Sequence, residues 1–192
     1  MNFTVVAGSY ERLLFGFNFE RIEDGLQESF IYPAHISCIK AVAAKSKFLA
    51  TGSSDEIIKI YNLKLKREVG VLDHHTGTIT SLEFYQNTHL ITASEDGTIG
   101  IVRTTDWELL KVLKGHHGKV SCISIHPSGK LLLSVGVDST LRTWNLARGI
   151  MAQSVPLVEE CTKVAWSKDG TLYALLFDKK VEIHSLVTTS LI

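Results

Sequence analysis

The chain has 192 residues, of which 45% are hydrophobic and 21% charged, a composition typical of a folded globular protein. Its 20 lysines and arginines balance its 20 aspartates and glutamates, so the overall charge attracts neither nucleic acid nor an anionic membrane. No basic segment precedes the first apolar residues, and no window approaches the ~20 apolar residues of a membrane span. We therefore predict neither a secretory signal nor a membrane partner.

The three cysteines, Cys38, Cys122 and Cys161, have no close spacing of the kind that a disulfide framework or a zinc site requires. Free thiols are typical of a reducing compartment, so an intracellular location is predicted. Cys38 and Cys122 are assigned to equivalent strand positions, where a small apolar side chain would pack between neighbouring sheets.

Turn residues and alternating apolar residues recur in units of about 40–45 residues, the length of one propeller blade. Each unit has an acidic residue in a turn, followed by an alternating strand. These turn residues are Glu11, Asp55, Asp96, Asp138 and Asp178, which are 44, 41, 42 and 40 residues apart. An inner strand is predicted before each of the last four turns, over 36–41, 79–84, 120–125 and 161–166.

In chain order, the units are a partial N-terminal blade over 1–33, repeats over 34–73, 74–114 and 115–156, and a degenerate or truncated repeat over 157–192. No segment shows a helical stripe, so the predicted fold is all-β, a β-propeller of about four and a half repeats. The first unit has no inner strand before Thr4, and Val187–Ile192 does not match the inner-strand pattern. We therefore expect an incomplete, open propeller whose exposed edges promote self-association.

The repeat over 115–156 resembles the WD-repeat family most closely. That family has a histidine before the inner strand, a serine or threonine in the second strand, an aspartate in the next turn and a tryptophan in the third strand. The resemblance places a buried hydrogen-bonded tetrad on His116, Ser134, Asp138 and Trp144. Such a network provides partners for polar groups that burial would otherwise leave without any.

The other repeats resemble this pattern in part. One has His75, Thr92 and Asp96, with Val102 at the tryptophan position, so its network is expected to lack a member. The preceding repeat has Thr51 and Asp55, with Tyr32 assigned to the histidine position and Tyr61 to the tryptophan position. The last repeat departs furthest, with Leu157, Ala174, Asp178 and His184 at the four positions.

Stretches outside this consensus resemble the p21-activated kinase-interacting protein 1 group of nucleolar WD-repeat proteins. They are residues 7–11, 14–17, 74–80, 125–130 and 141–146. The resemblance implies a scaffold of the nucleus and nucleolus that helps to assemble the large ribosomal subunit and restrains p21-activated kinase. The implied partners are that kinase and pre-ribosomal assembly factors. Members of the group are longer, with further blades and a lysine-rich tail.

Three other interpretations have less support. The pairs His74–His75 and His116–His117 are not joined by a carboxylate or cysteine at ligand spacing, so no metal or other cofactor is predicted. No nucleophile elbow or phosphate-binding glycine loop is present, so neither enzymatic activity nor a small-molecule substrate is predicted. Direct RNA contact in a pre-ribosomal particle is the alternative function, which the neutral charge does not favour. The basic run Lys64–Arg67 is interpreted as a solvated loop.

Overall fold

A computed structural model describes residues 3–23 and 25–185. Within these residues the chain forms 18 strands in five antiparallel sheets and no helix, which confirms the predicted all-β fold. The first sheet contains β1 (Phe3–Gly8), β2 (Leu13–Phe19) and β3 (Leu26–Pro33). The second contains β4 (Ile39–Lys45), β5 (Phe48–Ser53), β6 (Ile58–Asn62) and β7 (Arg67–Leu72).

The remaining sheets continue the same meander. The third contains β8 (Ile79–Tyr85), β9 (His89–Ser94), β10 (Thr98–Arg103) and β11 (Leu109–Lys114). The fourth contains β12 (Val120–Ile125), β13 (Leu131–Gly136), β14 (Thr140–Asn145) and β15 (Ile150–Pro156). The fifth contains β16 (Lys163–Trp166), β17 (Leu172–Leu176) and β18 (Val181–Ser185). Each four-stranded sheet thus has an inner, a second, a third and an outer strand, in chain order.

The sheets pack face to face, so their central strands are buried on both sides. In β13, for example, every residue after Leu131 is buried. One of the apolar clusters between sheets surrounds Trp144 with Ile91, Ile101 and Leu132. Burying a side chain of this size contributes roughly 1.5–3 kcal/mol, so the interfaces between sheets hold the array together.

Side-chain hydrogen bonds also link neighbouring inner strands. The Ile125 amide of β12 donates to the Glu83 carboxylate of β8 over 2.9 Å. At the next interface the Trp166 amide of β16 donates to Ser124 Oγ of β12 over 3.1 Å. Burial raises the pKa of Glu83 to about 7. The inner strands β8, β12 and β16 are therefore fixed to one another by polar as well as apolar contacts.

The first sheet lacks an inner strand within the described residues. Strand β1 packs against β4 in the way that β5 packs against β8. A side chain added at Gly8 would meet Ile39, and one added at Gly52 would meet Ile79, which places these two glycines at matching positions. Strand β1 therefore corresponds to a second strand.

Within the described residues the five sheets do not close into a ring, because no strand of the first sheet pairs with or packs extensively against a strand of the fifth. This confirms the prediction of an incomplete propeller. The outward face of the fifth sheet exposes Leu176, Val181 and Ile183. The segment Val187–Ile192, considered above as a closing strand, lies outside the described residues.

The inner strand of the second sheet begins at Ile39, three residues later than the predicted strand over 36–41. Ile39 pairs with Ser53 just as Ile79 pairs with Ser94, so these two isoleucines are equivalent. Cys122 consequently matches Ala41 and not Cys38, and the assigned equivalence of the two cysteines is wrong. The prediction failed because Ile36 and Cys38 are apolar residues two positions apart, as in a strand, although they are out of phase with Ile39 and Ala41, the buried residues of β4.

Candidate functional site: buried networks and the loop faces

The fourth sheet brings His116, Ser134, Asp138 and Trp144 together in one buried network. Trp144 Nε1 donates to Ser134 Oγ over 2.8 Å, and Ser134 Oγ lies 2.7 Å from His116 Nε2. His116 Nδ1 lies 3.0 Å from the Asp138 carboxylate. The serine hydroxyl proton therefore points to Nε2, and a neutral His116 donates its Nδ1 proton to Asp138.

Asp138 organises the turn between β13 and β14 as well as holding the histidine. Its carboxylate accepts the amide proton of His117 over 3.0 Å and the hydroxyl proton of Thr140 over 2.9 Å. Burial raises the pKa of Asp138, but these bonds and the one from His116 outweigh it and hold the pKa at about 2. Burial lowers the pKa of His116. The pair is therefore an ionised carboxylate beside a neutral imidazole.

The third sheet brings His75, Thr92 and Asp96 together with similar distances. His75 Nε2 lies 2.8 Å from Thr92 Oγ1, and Nδ1 lies 3.0 Å from Asp96. Val102 supplies no polar atom, yet His74 Nε2 lies 3.0 Å from Thr92 Oγ1. His74 thus takes the role that Trp144 has in the next sheet, where the indole donates to Ser134. The expectation that this network lacks a member is wrong, because a residue of the preceding loop supplies the donor.

The network of the second sheet contains His35, which the sequence analysis missed. His35 Nε2 lies 2.7 Å from Thr51 Oγ1, and Nδ1 lies 3.0 Å from Asp55. Tyr32 does not take the histidine position; its ring contacts that of Tyr61 edge-on. The signal was present in the sequence, because a histidine stands four residues before the first residue of each inner strand at Ile39, Ile79 and Val120.

The fifth sheet has no such network among its described residues. Ala174 and Leu157 have no polar side-chain atom, and Asp178 is exposed. His184 instead lies 3.2 Å from Glu182. This sheet is the one in which the sequence departs furthest from the tetrad pattern.

The order serine, histidine, aspartate is also that of a hydrolytic triad, in which the histidine takes the serine proton during attack on a substrate. Here Ser134 has 0% exposure, and its oxygen already accepts a hydrogen bond from Trp144. A substrate has no path to this oxygen. The same arrangement in three sheets stabilises turns and supports no acyl transfer.

A model of the WD domain, G-beta repeat, matches residues 26–62, 66–101 and 107–145, more than half of the chain. The chain belongs to the WD40 repeat family. Each matched segment joins the outer strand of one sheet to the first three strands of the next, so successive WD40 repeats interlock across sheet boundaries.

Curated relatives match almost the whole chain. A p21-activated protein kinase-interacting protein 1-like protein of Gallus gallus is 47% identical over 188 residues, covering 97% of this chain and 51% of the relative. The p21-activated protein kinase-interacting protein 1 of Homo sapiens is 46% identical over 195 residues, covering 97% and 50%. Protein MAK11 of Saccharomyces cerevisiae is 32% identical over 169 residues, covering 75% and 41%. The chain thus spans about half the length of these WD40 relatives.

Within residues 3–23 and 25–185, no helix is long and apolar enough to cross a membrane. No group of three or more histidine, cysteine, aspartate or glutamate side chains in this part of the chain could hold a metal ion.

The loops of the WD40 sheets form two faces with different charge. We define the network face as the loops that precede the inner strands, over 34–38, 73–78, 115–119 and 157–162, together with the neighbouring turns between second and third strands. The first three of these loops carry the network histidines. The acidic residues of this face outside the networks are Glu11, Glu56, Asp73, Glu95, Glu159, Glu160 and Asp178, against Arg12, Lys119, Lys179 and Lys180. The network face also exposes the apolar residues Tyr10, Ile36, Val137 and Val158.

The opposite loops, which we name the basic face, connect inner to second strands and third to outer strands. Between the second and fifth sheets they expose Lys47, Lys64, Lys66, Lys130, Arg148 and Lys168. The acidic pair Asp106 and Glu108 on this face is bound by the Arg103 guanidinium. Asp169 lies on this face as well, and the corresponding loop of the first sheet adds Glu20 and Glu23. Between the second and fifth sheets the basic face therefore has a net positive charge, whereas acidic residues outnumber basic ones on the network face.

Proposed function

We propose that this chain is a WD40 scaffold that binds protein partners through its network face. The observation that carries the proposal is the exposure of large apolar side chains there, with Ile36 at 84% and Val158 at 98%. Large exposed apolar side chains can anchor a protein partner, because binding removes their surface from water. The Ile36 amide donates to the network residue Asp55. The amide of Leu157, the residue before Val158, donates to the Ser139 carbonyl, so both exposed residues stand on hydrogen-bonded loops.

The proposed partners follow from the relatives. Those of Gallus gallus and Homo sapiens are named for interaction with p21-activated protein kinase, so that kinase is the first partner that we propose for this chain. The resemblance to nucleolar WD-repeat proteins further supports a nuclear and nucleolar role in assembly of the large ribosomal subunit. Both roles require binding and no catalysis.

A capture experiment tests this proposal. Purified p21-activated kinase is incubated with the immobilised chain at increasing salt, with and without nuclease. We expect nuclease-resistant capture, and we expect Ile36→Asp combined with Val158→Asp to abolish it. The matched control is Ile22→Asp, because Ile22 is 88% exposed but lies in a loop of the opposite face. Capture that nuclease removes would instead favour the alternative of direct RNA contact.

A further inference from the structure

An apolar cavity of about 290 Å³ lies between the first and second sheets. Its walls come from β2 and β3 on one side and from the ends of β5 and β6 on the other. The apolar lining is Leu14, Phe30, Ile31, Tyr32, Leu49 and Leu63, together with the ring of Tyr61. The cavity opens beside Lys66 and Arg67, in the turn that leads into β7.

Comparison with the fourth sheet explains why the cavity exists. Tyr61 pairs with Leu49 as Trp144 pairs with Leu132, so the two aromatic residues are equivalent. The Trp144 indole fills its interface and donates to Ser134. The buried Tyr61 hydroxyl, although near Thr51, makes no hydrogen bond within the described residues. The smaller ring leaves apolar volume unfilled and a polar atom without a partner.

The mouth of the cavity is an ordered basic turn. Asn62 Oδ1 accepts the amide protons of Lys64 and Leu65 over 3.0 and 3.1 Å, which closes the turn. Lys66 takes a left-handed conformation with φ of 49°. The Leu63 amide donates to the Lys47 carbonyl over 2.8 Å, which adds a fourth basic residue to Lys64, Lys66 and Arg67.

None of these four cations forms an ion pair within the described residues. The nearby Glu68 lies 3.3 Å from Lys59, which offsets its charge. The run that the sequence alone presents as a solvated loop therefore forms a positive rim around an apolar cavity. A ligand that fits must combine a bulky apolar group with negative charge beside it.

We propose that this cavity binds one bulky apolar side chain of an acidic protein segment, whose carboxylates pair with Lys66 and Arg67 at the rim. The inference rests on the proposed scaffold function and adds a second docking site to it. Burial of the apolar anchor supplies most of the affinity, because exposed ion pairs contribute little on their own. The rim selects acidic segments and speeds their association.

Two fluorescein-labelled peptides test the proposal by fluorescence anisotropy with the 192-residue chain. One carries a phenylalanine between two pairs of aspartates; its twin carries alanine in place of the phenylalanine. We expect the phenylalanine peptide to bind at least about tenfold more tightly, the order expected for one buried aromatic side chain. Equal binding of the two peptides would overturn the proposal.

Two variants separate the cavity from its rim. Tyr61→Trp should fill the cavity and donate to Thr51, so the melting temperature is retained while binding of the phenylalanine peptide is lost. Lys66→Gln with Arg67→Gln should weaken binding several-fold without touching the core. The matched control is Lys130→Gln with Arg148→Gln, in the β12–β13 and β14–β15 turns on the same face of the fourth sheet, which should leave binding unchanged.

A labelled oligouridylate distinguishes a nucleic acid from a protein ligand. One outcome is that the chain binds this RNA in a way that Lys66→Gln with Arg67→Gln weakens and Tyr61→Trp leaves unchanged. That result would show a polyanion site and would overturn the cavity proposal. If the unmodified chain captures the kinase but does not bind the phenylalanine peptide, the cavity proposal alone is refuted. If the unmodified chain binds the peptide but does not capture the kinase, the proposed binding of partners through the network face is refuted.

Discussion

At the scale of single residues, each network is a chain of hydrogen bonds with one direction. The proton donors run from Trp144 through Ser134 and His116 to Asp138, so the buried polar groups along this chain all have partners. Because the final acceptor is ionised, its bonds are charge-assisted and stronger than neutral ones. The sequence places the charge at the turn, where backbone amides also need an acceptor.

Removing the acceptor should destabilise the fourth sheet. Asp138→Ala leaves the buried His116 ring, the His117 amide and the Thr140 hydroxyl without their acceptor. We expect a loss of about 1–3 kcal/mol in the free energy of unfolding, measured by urea denaturation. Asp178→Ala is the matched control, because Asp178 holds the same repeat position but is exposed. It should change stability by less than about 0.5 kcal/mol; equal losses would refute the role of the network.

The histidines should make stability depend on pH. Burial is the main cause that lowers the pKa of His74 from 6.5 to about 4, and the neighbouring His75 lowers it further. The unfolded chain therefore binds a proton more readily than the folded chain, and stability falls as the pH drops from 6.5 towards 4. One linked proton contributes a slope of about 1.4 kcal/mol per pH unit.

His74→Gln removes this linked proton and should reduce the slope of unfolding free energy against pH between 6.5 and 4. Urea denaturation at five pH values across this range measures the slope. His117→Gln is the control, because that side chain is exposed on the loop before β12. A slope that His74→Gln leaves unchanged would contradict the assignment of a buried, neutral His74.

At the scale of elements, loops and strands compensate for one another. In the third sheet the His74 ring occupies space that Gly100 leaves open, since a side chain at Gly100 would lie 2.5 Å from His74 Nε2. In the fourth sheet the positions are reversed: a side chain at Gly115 would lie 2.7 Å from Arg142 and 3.1 Å from Trp144. The loop residue is large (His74) where the facing residue of the third strand is small (Gly100). It is small (Gly115) where the third strand presents the large residues Arg142 and Trp144.

Gly100→Ala should therefore destabilise the chain by about 1–3 kcal/mol, the usual range for overpacking a buried site. Gly70→Ala is the control, because its nearest neighbour, Trp107, would lie 3.6 Å away at ordinary contact distance. Combining Gly100→Ala with His74→Ala should recover part of the loss in a double-mutant cycle. Additive losses would mean that the two positions are not coupled.

The sequence predicted most elements because period, alternation and turn residues agree for the third and fourth sheets. It failed where these signals conflicted. Ile36 and Cys38 form a short apolar alternation that is out of phase with β4, and only the histidine spacing identifies His35 as the network residue. The contribution of His74 could not be predicted from the repeat pattern, because a loop residue supplies what the pattern assigns to a strand. The cavity beside Tyr61 could not be predicted from one repeat, because its walls come from two neighbouring sheets.

At the scale of the whole molecule, the open array leaves an apolar sheet face uncovered. Val181 and Ile183 of the fifth sheet are 60% and 57% exposed, on the face directed away from the fourth sheet. Uncovered faces and free strand edges promote association with other chains. Composition could not predict the charge distribution either, because equal totals of acids and bases say nothing about the excess of basic residues on the basic face between the second and fifth sheets.

The 192-residue chain should self-associate with increasing concentration in sedimentation velocity experiments. Val181→Lys with Ile183→Lys should shift the equilibrium towards monomer, because charge on this face opposes its burial. Ile22→Lys is the control, since Ile22 is 88% exposed but lies in a loop of the first sheet. A monodisperse monomer of the unmodified chain at high concentration would contradict this prediction.

The exchange of large and small residues between loop and strand limits how such repeats can be copied during evolution. A gene duplication that carries His74 also has to carry Gly100, 26 residues later. A crossover between those two positions would join a His74-type loop to an Arg142-type and Trp144-type strand, and two rings would compete for one hydroxyl. The unit of inheritance therefore has to run at least from the loop before an inner strand to the end of the third strand.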